Sequence, residues 1–381
     1  MLTEMGWAAA VAVVSMLGQL LQGSTQFSDK ACSRFDPFMN RYLVGQEGSL
    51  HVVTDAMCDF LDPKVMLERQ GAQQRPLVLS IHGPPGVGKT YFHQLAAHVL
   101  YDTVEEETDV LGNRVYSLRN GVACPGHSCP GYHVLFGMDY TSHDRDVQHA
   151  LLQKALLDHV STYPQSFIVV EEYDKLDCYM RGFFRQILQG GLVGNQSLGQ
   201  SIIVLESNLG YGVLHRMLED KGGREGVDMQ EAQRALKDMV FQVWQQQGCE
   251  DFSDSQKLLR SIDFFLPFYP LEKIHIEKLF RKKLDGLRYS AAEEFKGIGN
   301  VTLVYTPDII EYLVNKVEFD GKYPIEGGKE VQTVTTGYLS RPYRLWVREL
   351  KRQDENPGGT YSWSQSKSGR SLEIRAQDSV S

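Results

Sequence analysis

Residues Pro76–Thr90, PLVLSIHGPPGVGKT, constrain this chain more than any other stretch. An apolar run with the character of a buried strand leads directly into Gly-x-x-x-x-Gly-Lys-Thr, and Tyr91–Leu100 then has helical character. Strand, glycine-rich turn and helix in that order form a phosphate-binding loop. Gly83, Gly86 and Gly88 permit the tight turn, and Pro84, Pro85 and Val87 complete the loop whose N–H groups face inward. Lys89 is placed to reach the β- and γ-phosphates, Thr90 to ligate Mg²⁺, and the helix N-terminus to favour an anion.

Two further strands end in polar residues. Phe167–Asp174, FIVVEEYD, sets Glu171 and Glu172 at the carboxyl end of a buried strand, where open α/β sheets bind ligands. Glu171 suits the Mg²⁺ shell and Glu172 a general base for an attacking water. Ser201–Asn208, SIIVLESN, ends at Asn208, whose amide can hold both γ-phosphate and water. Strands alternating with helices predict a parallel α/β sheet flanked by helices, followed by a small helical domain.

The chain has 381 residues, 42% of them hydrophobic and 23% charged, as in soluble globular proteins. A net charge of −9 gives no global basic footprint, so nucleic acid is not an expected partner. Trp7–Leu21 carries no charge but is short for a bilayer span of about 20 residues. Residues 1–23 are therefore read as a secretory signal or as an uncleaved hydrophobic anchor giving peripheral membrane association; a buried N-terminal helix is the third reading. Six cysteines are too few for a disulfide scaffold but suit an oxidising compartment. Cys124 and Cys129, in CPGHSCPG, leave a local disulfide, free thiols and a zinc site open.

Residues 24–269 are assigned to a large nucleotide-binding domain. Within it, 24–41 are expected to be irregular and about 101–131 to be an insertion. Residues 270–355 are assigned to the helical lid, and 356–381, rich in Gly and Ser, to a disordered tail.

Phosphate loop, acidic strand, polar strand and helical lid together resemble AAA+ ATPases. Tyr42–Gln46 (YLVGQ), Arg75–Thr90, Phe167–Leu176 and Ser261–Leu271 (SIDFFLPFYPL) resemble their Clp-like branch. The last segment, with Gly327-Gly328-Lys329, is similar to torsins of the endoplasmic reticulum lumen and nuclear envelope. The resemblance covers roughly residues 40–335 outside the insertion. It implies ATP and Mg²⁺ as cofactors, Val44, Gly45 and Gln46 flanking adenine, and Asn208 as first sensor. It also implies Lys329 as a second sensor acting from the lid, self-assembly, and remodelling of protein clients. Torsins have no arginine finger of their own and take it from a membrane-anchored activator. Here Ser261 falls at the finger position, with Arg260 one residue early. An autonomous Clp-like chaperone ATPase and a nucleotide-dependent binding scaffold are the alternative readings. Thr90 replaces the usual torsin Asn, Glu171 the usual Asp, and Gly328 the Cys of the Gly-Cys-Lys motif. Asp139–Asp146, DYTSHDRD, lacks an aromatic-Gly pore loop for threading.

Overall fold

In the computed structural model the described residues are 24–65, 74–108, 114–118, 121–124, 127–140, 144–248, 251–297, 299–353 and 357–377. The expected signal or anchor, residues 1–23, lies outside them. Among the described residues, no helix is long and apolar enough to cross a membrane. The chain divides into two compact units, with a boundary between Tyr269 and Pro270; Pro85–Val87 group with the second.

The first unit opens with two helices, Ala31–Tyr42 and Glu47–Leu61. The first of these overturns the irregular reading of 24–41. Ala31, Phe35, Phe38 and Met39 recur at helical spacing and are all buried. Cys32 and Cys58 join the two helices by a disulfide.

Strand β1 (Leu77–His82) is buried along its whole length, as its largely apolar character predicts for a strand covered on both faces. The helix Lys89–Leu100 follows. The insertion contains an antiparallel hairpin, β2 (Val104–Thr108) with β3 (Arg114–Leu118), and a Cys124–Cys129 disulfide. His98 Nδ1 lies 3.6 Å from Cys124 Sγ. With both sulfurs in a disulfide there is no thiolate for a zinc site, so the disulfide alternative is the one found.

Then come β4 (Tyr132–Phe136), the helix Arg145–Thr162, β5 (Phe167–Glu171) and the helix Cys178–Gly190. A short hairpin of β6 (Leu192–Val193) and β7 (Gln196–Ser197) precedes β8 (Ile202–Ser207). Helices Tyr211–Asp220, Met229–Gln247 and Phe252–Arg260 lead to β9 (Phe264–Pro267). Asp144, Asp177, Asp228 and Asp251 each cap a helix by accepting a backbone N–H of its first turn.

The central sheet has the order β4-β5-β8-β1-β9, with every pairing parallel. It is flanked by helices in the general manner of P-loop and Rossmann-like NTPases. The order matters because β8 lies between β1 and β5. All three polar strand ends found in the sequence therefore emerge side by side at one edge of the sheet.

The second unit is not only helical. It holds the 22-residue helix Lys273–Glu294, β10 (Val301–Val304) and the helix Pro307–Val314. A hairpin of β11 (Phe319–Asp320) and β12 (Tyr323–Pro324) follows, then helices Lys329–Thr335 and Arg341–Gln353.

The stretch read as a disordered tail instead forms β13 (Gly359–Gln365) and β14 (Leu372–Ala376), an antiparallel pair whose first strand runs parallel to β10. Alternation is the reason. Tyr361 and Trp363 share one face of β13, and Leu372 and Ile374 one face of β14; all four join the hydrophobic core of this unit. Gly/Ser content masked a period-two pattern.

Candidate functional site

The loop after β1 is shaped by close approaches that only glycine allows. A Cβ on Gly83 would lie 2.2 Å from the Phe268 carbonyl oxygen, and Gly88 has φ +100°. Phe268 N–H donates to His82 O at 2.7 Å, which fixes the loop's entry against the end of β9.

Lys89 opens the following helix and is only 4% exposed. Its ammonium donates to Gly83 O and Pro84 O, each at 3.0 Å, and to Asn208 Oδ1 at 2.8 Å. The phosphate-loop lysine and the polar residue after β8 thus meet directly. The Asn208 N–H in turn donates to Asp174 Oδ1 at 3.2 Å.

Glu171 ends β5 and Glu172 follows it at the turn, and their surroundings differ. Glu171 Oε1 lies 2.9 Å from His93 Nε2. Glu172 has φ +52°, in the left-handed region that a residue with a Cβ rarely enters. Backbone strain of this kind costs on the order of 1–3 kcal/mol and clusters at functional sites. Gly137 accommodates it, since a Cβ there would stand 2.4 Å from Glu172 O.

The sequence reading missed two residues here. Glu206, at the end of β8, is buried; it accepts from Thr90 Oγ1 at 3.3 Å and lies 3.9 Å from Lys89 Nζ. His93 is 1% exposed, with Nε2 3.5 Å from Glu206 Oε2 and Nδ1 2.7 Å from the Tyr132 hydroxyl. Burial works against a charged His93 ring, yet its hydrogen bonds to Glu171 and Glu206 hold its pKa above the ordinary value. Both residues carried a positional signal. His93 is one helical turn beyond Lys89, and Glu206 shares a strand face with Asn208.

Val44, Gly45 and Gln46 are buried between the two N-terminal helices. Gln46 uses both ends of its amide on Tyr269, donating to its carbonyl and accepting from its N–H, each at 2.9 Å. Arg224 donates to Gly45 O. Arg260 is exposed at the end of its helix, its carbonyl accepting from Arg75 at 3.1 Å, while Ser261 is buried. In the second unit, Lys329 is exposed at the start of the helix Lys329–Thr335, and Gly328 N–H donates to Gly86 O at 2.7 Å.

The donor set fits a magnesium–nucleotide. A buried ammonium is held between two loop carbonyls and a carboxamide, with the Glu206 carboxylate 3.9 Å away; the Thr90 hydroxyl and the His93–Glu171 pair adjoin that carboxylate. Thr90 and Glu171 are the residues suited to the metal, and the loop with Lys89 to the phosphates.

His82, at the end of β1, is buried with Nε2 2.8 Å from Ser80 Oγ and its ring stacked on Phe265. Burial lowers its pKa to about 3. Its folded-state value is thus depressed below the unfolded value near 6.5, and the unfolded chain takes up the proton first. Stability is fully present above about pH 6.5 and declines as pH falls from there toward 3. At pH 5 the expected loss from His82 is roughly 2 kcal/mol. Urea unfolding at pH 7.5 and 5.0 checks this. His82→Gln should flatten the difference by about that amount; an unchanged pH dependence would refute the assignment.

No family model matches the chain. It is 24% identical over 258 residues to the chaperone protein ClpB of Rhodopirellula baltica, covering 66% of this chain and 25% of that protein. It is also 24% identical over 254 residues to a torsin-like protein of Caenorhabditis elegans, covering 65% of this chain and 61% of the relative. The chain thus spans about a quarter of one relative and three-fifths of the other. At this identity the similarity suggests distant AAA+/HSP100-like kinship, and with it a nucleotide-binding enzyme of that broad family.

Proposed function

We propose that this chain is a torsin-like AAA+ ATPase of the endoplasmic reticulum lumen and nuclear envelope. It binds ATP with Mg²⁺ and hydrolyses it slowly to remodel protein complexes. The observation that carries the reading is the grip of Gly83 O, Pro84 O and Asn208 Oδ1 on the Lys89 ammonium, which joins two of the sequence motifs in one site.

When bound, Mg²⁺ supplies charge neutralisation across the phosphates. Lys89 holds the phosphates, Thr90 and Glu171 orient the metal shell, Glu172 takes a proton from the attacking water, and Asn208 positions that water. Val44, Gly45 and Gln46 flank the adenine. Lys329 senses the γ-phosphate. The disulfides Cys32–Cys58 and Cys124–Cys129 favour an oxidising compartment. With Ser261 at the finger position, a membrane-anchored activator donates the arginine, an effect worth about 10³–10⁵ in turnover. The chain also assembles with itself.

One observation favours an autonomous Clp-like chaperone ATPase instead: the exposed Arg260 side chain, one residue before Ser261. Single-turnover hydrolysis by the full chain separates the two. Tight ATP binding with turnover far below about 1 s⁻¹, and none in Glu172→Gln, is the expected result. Turnover near 1 s⁻¹ without a partner would favour the autonomous machine, and absence of nucleotide binding would end both readings.

A further inference from the structure

Beneath the phosphate loop, His93, Glu171 and Glu206 bring one imidazole nitrogen and two carboxylates together, with all ligand atoms within 4.8 Å of one another. They come from three different elements: the helix Lys89–Leu100, the end of β5 and the end of β8.

The spacings have a recognisable meaning. Ligand atoms bound about 2.1 Å from an ion stand roughly 3.0–3.4 Å apart around an octahedral or tetrahedral centre. Here His93 Nε2 is 2.9 Å from Glu171 Oε1 and 3.5 Å from Glu206 Oε2, and Thr90 Oγ1 is 3.3 Å from Glu206 Oε2. The ring's other nitrogen, Nδ1, is 2.7 Å from the hydroxyl of the half-buried Tyr132. When that hydroxyl accepts from Nδ1–H, as outer partners of metal-bound histidines do, Nε2 can exchange its contacts with the two carboxylates for a metal. The imidazole also sets the preference. An all-oxygen site suits Mg²⁺, whereas imidazole with carboxylates suits a divalent transition ion such as Mn²⁺, Co²⁺ or Zn²⁺.

We propose that His93, Glu171 and Glu206, with Thr90 alongside, form a site for a divalent transition cation that binds in the absence of nucleotide. Its place in ATP chemistry rests on the reading above, through the shared Glu171 and Thr90; cation binding itself does not. Lys89 Nζ, 3.9 Å from Glu206 Oε1, is the charge that opposes it.

The test uses the full chain without nucleotide. Titration with Co²⁺ should give one ion per chain with visible d–d bands, outcompeting a large excess of Mg²⁺. The bands should disappear in His93→Gln and Glu206→Gln. Tyr132→Phe should weaken binding about 10- to 100-fold, the usual cost of losing an outer partner. Because the ligand variants remove buried, hydrogen-bonded groups, the wild-type chain supplies a second measurement. Spin-echo modulation of bound Mn²⁺ should show one directly bound ¹⁴N. No Co²⁺ site, a site unchanged by His93→Gln, or Mn²⁺ without nitrogen modulation would each overturn the proposal. ATP binding in EDTA, measured separately, reports on the nucleotide reading alone.

Discussion

Replacing Lys89 by alanine should weaken ATP binding by about 100-fold or more while leaving the helix it opens intact. The ammonium is 4% exposed and sits among three acceptors at 2.8–3.0 Å. All three of its N–H donors are engaged, so phosphate oxygens take the place of these neutral acceptors, and a charged acceptor binds an ammonium about twice as strongly. Two charge-assisted hydrogen bonds to phosphate, at about 1.5–3 kcal/mol each, come to at least about 3 kcal/mol, or two decades in affinity. Alanine is the best helix former, so Lys89–Leu100 is expected to keep its first turn. The substitution also strips Asn208 Oδ1 of its donor and Glu206 of its nearest lysine, so the free protein should lose some stability. Calorimetric titration with ATP, paired with a thermal melt, separates the two effects. An affinity within threefold of wild type would show that phosphate is bound elsewhere.

This site was legible in part because each of its motifs is local. Gly83–Thr90, Phe167–Asp174 and Ser201–Asn208 are contiguous stretches whose strand character and polar ends can be read residue by residue. A single sequence leaves the strand order unstated. Only the order β5-β8-β1 brings Asn208 against Lys89 and Glu206 against His93. Glu206 was passed over because an acid inside an apolar strand looks like a pattern break; its burial becomes intelligible once His93 and Thr90 arrive from another element.

The helix Ala31–Tyr42 was hidden for a different reason. Its polar residues and Pro37 obscure a buried stripe at 31, 35, 38 and 39, and that stripe acquires meaning only where it packs. Lys329 shows a third limit. A Gly-Gly-Lys triplet carries a role by resemblance alone, and no periodicity or spacing in this chain specifies what that ammonium approaches.

Trp363→Ala should destabilise the second unit by about 3–5 kcal/mol, the cost of emptying a large aromatic site in a core. Trp363 is 2% exposed, and Leu303, Leu313 and Leu372 belong to the same core. It stands on β13 opposite Ile374 of β14, in the sheet built from the stretch that composition had suggested was disordered. Were 359–376 only a loosely attached tail, the same substitution would cost a few tenths of a kcal/mol, as at any exposed position. Its indole nitrogen has no hydrogen-bond partner among the described residues. Trp363→Phe should therefore be far milder, below about 1.5 kcal/mol, because it removes an unsatisfied buried donor while keeping most of the ring. Hydrogen exchange over residues 270–377 in wild type and both variants reads the difference directly. Accelerated exchange across β10, β13 and β14 together in Trp363→Ala, and little change in Trp363→Phe, is the expected outcome. Equal, small effects from both would mean that this sheet does not anchor the unit's core.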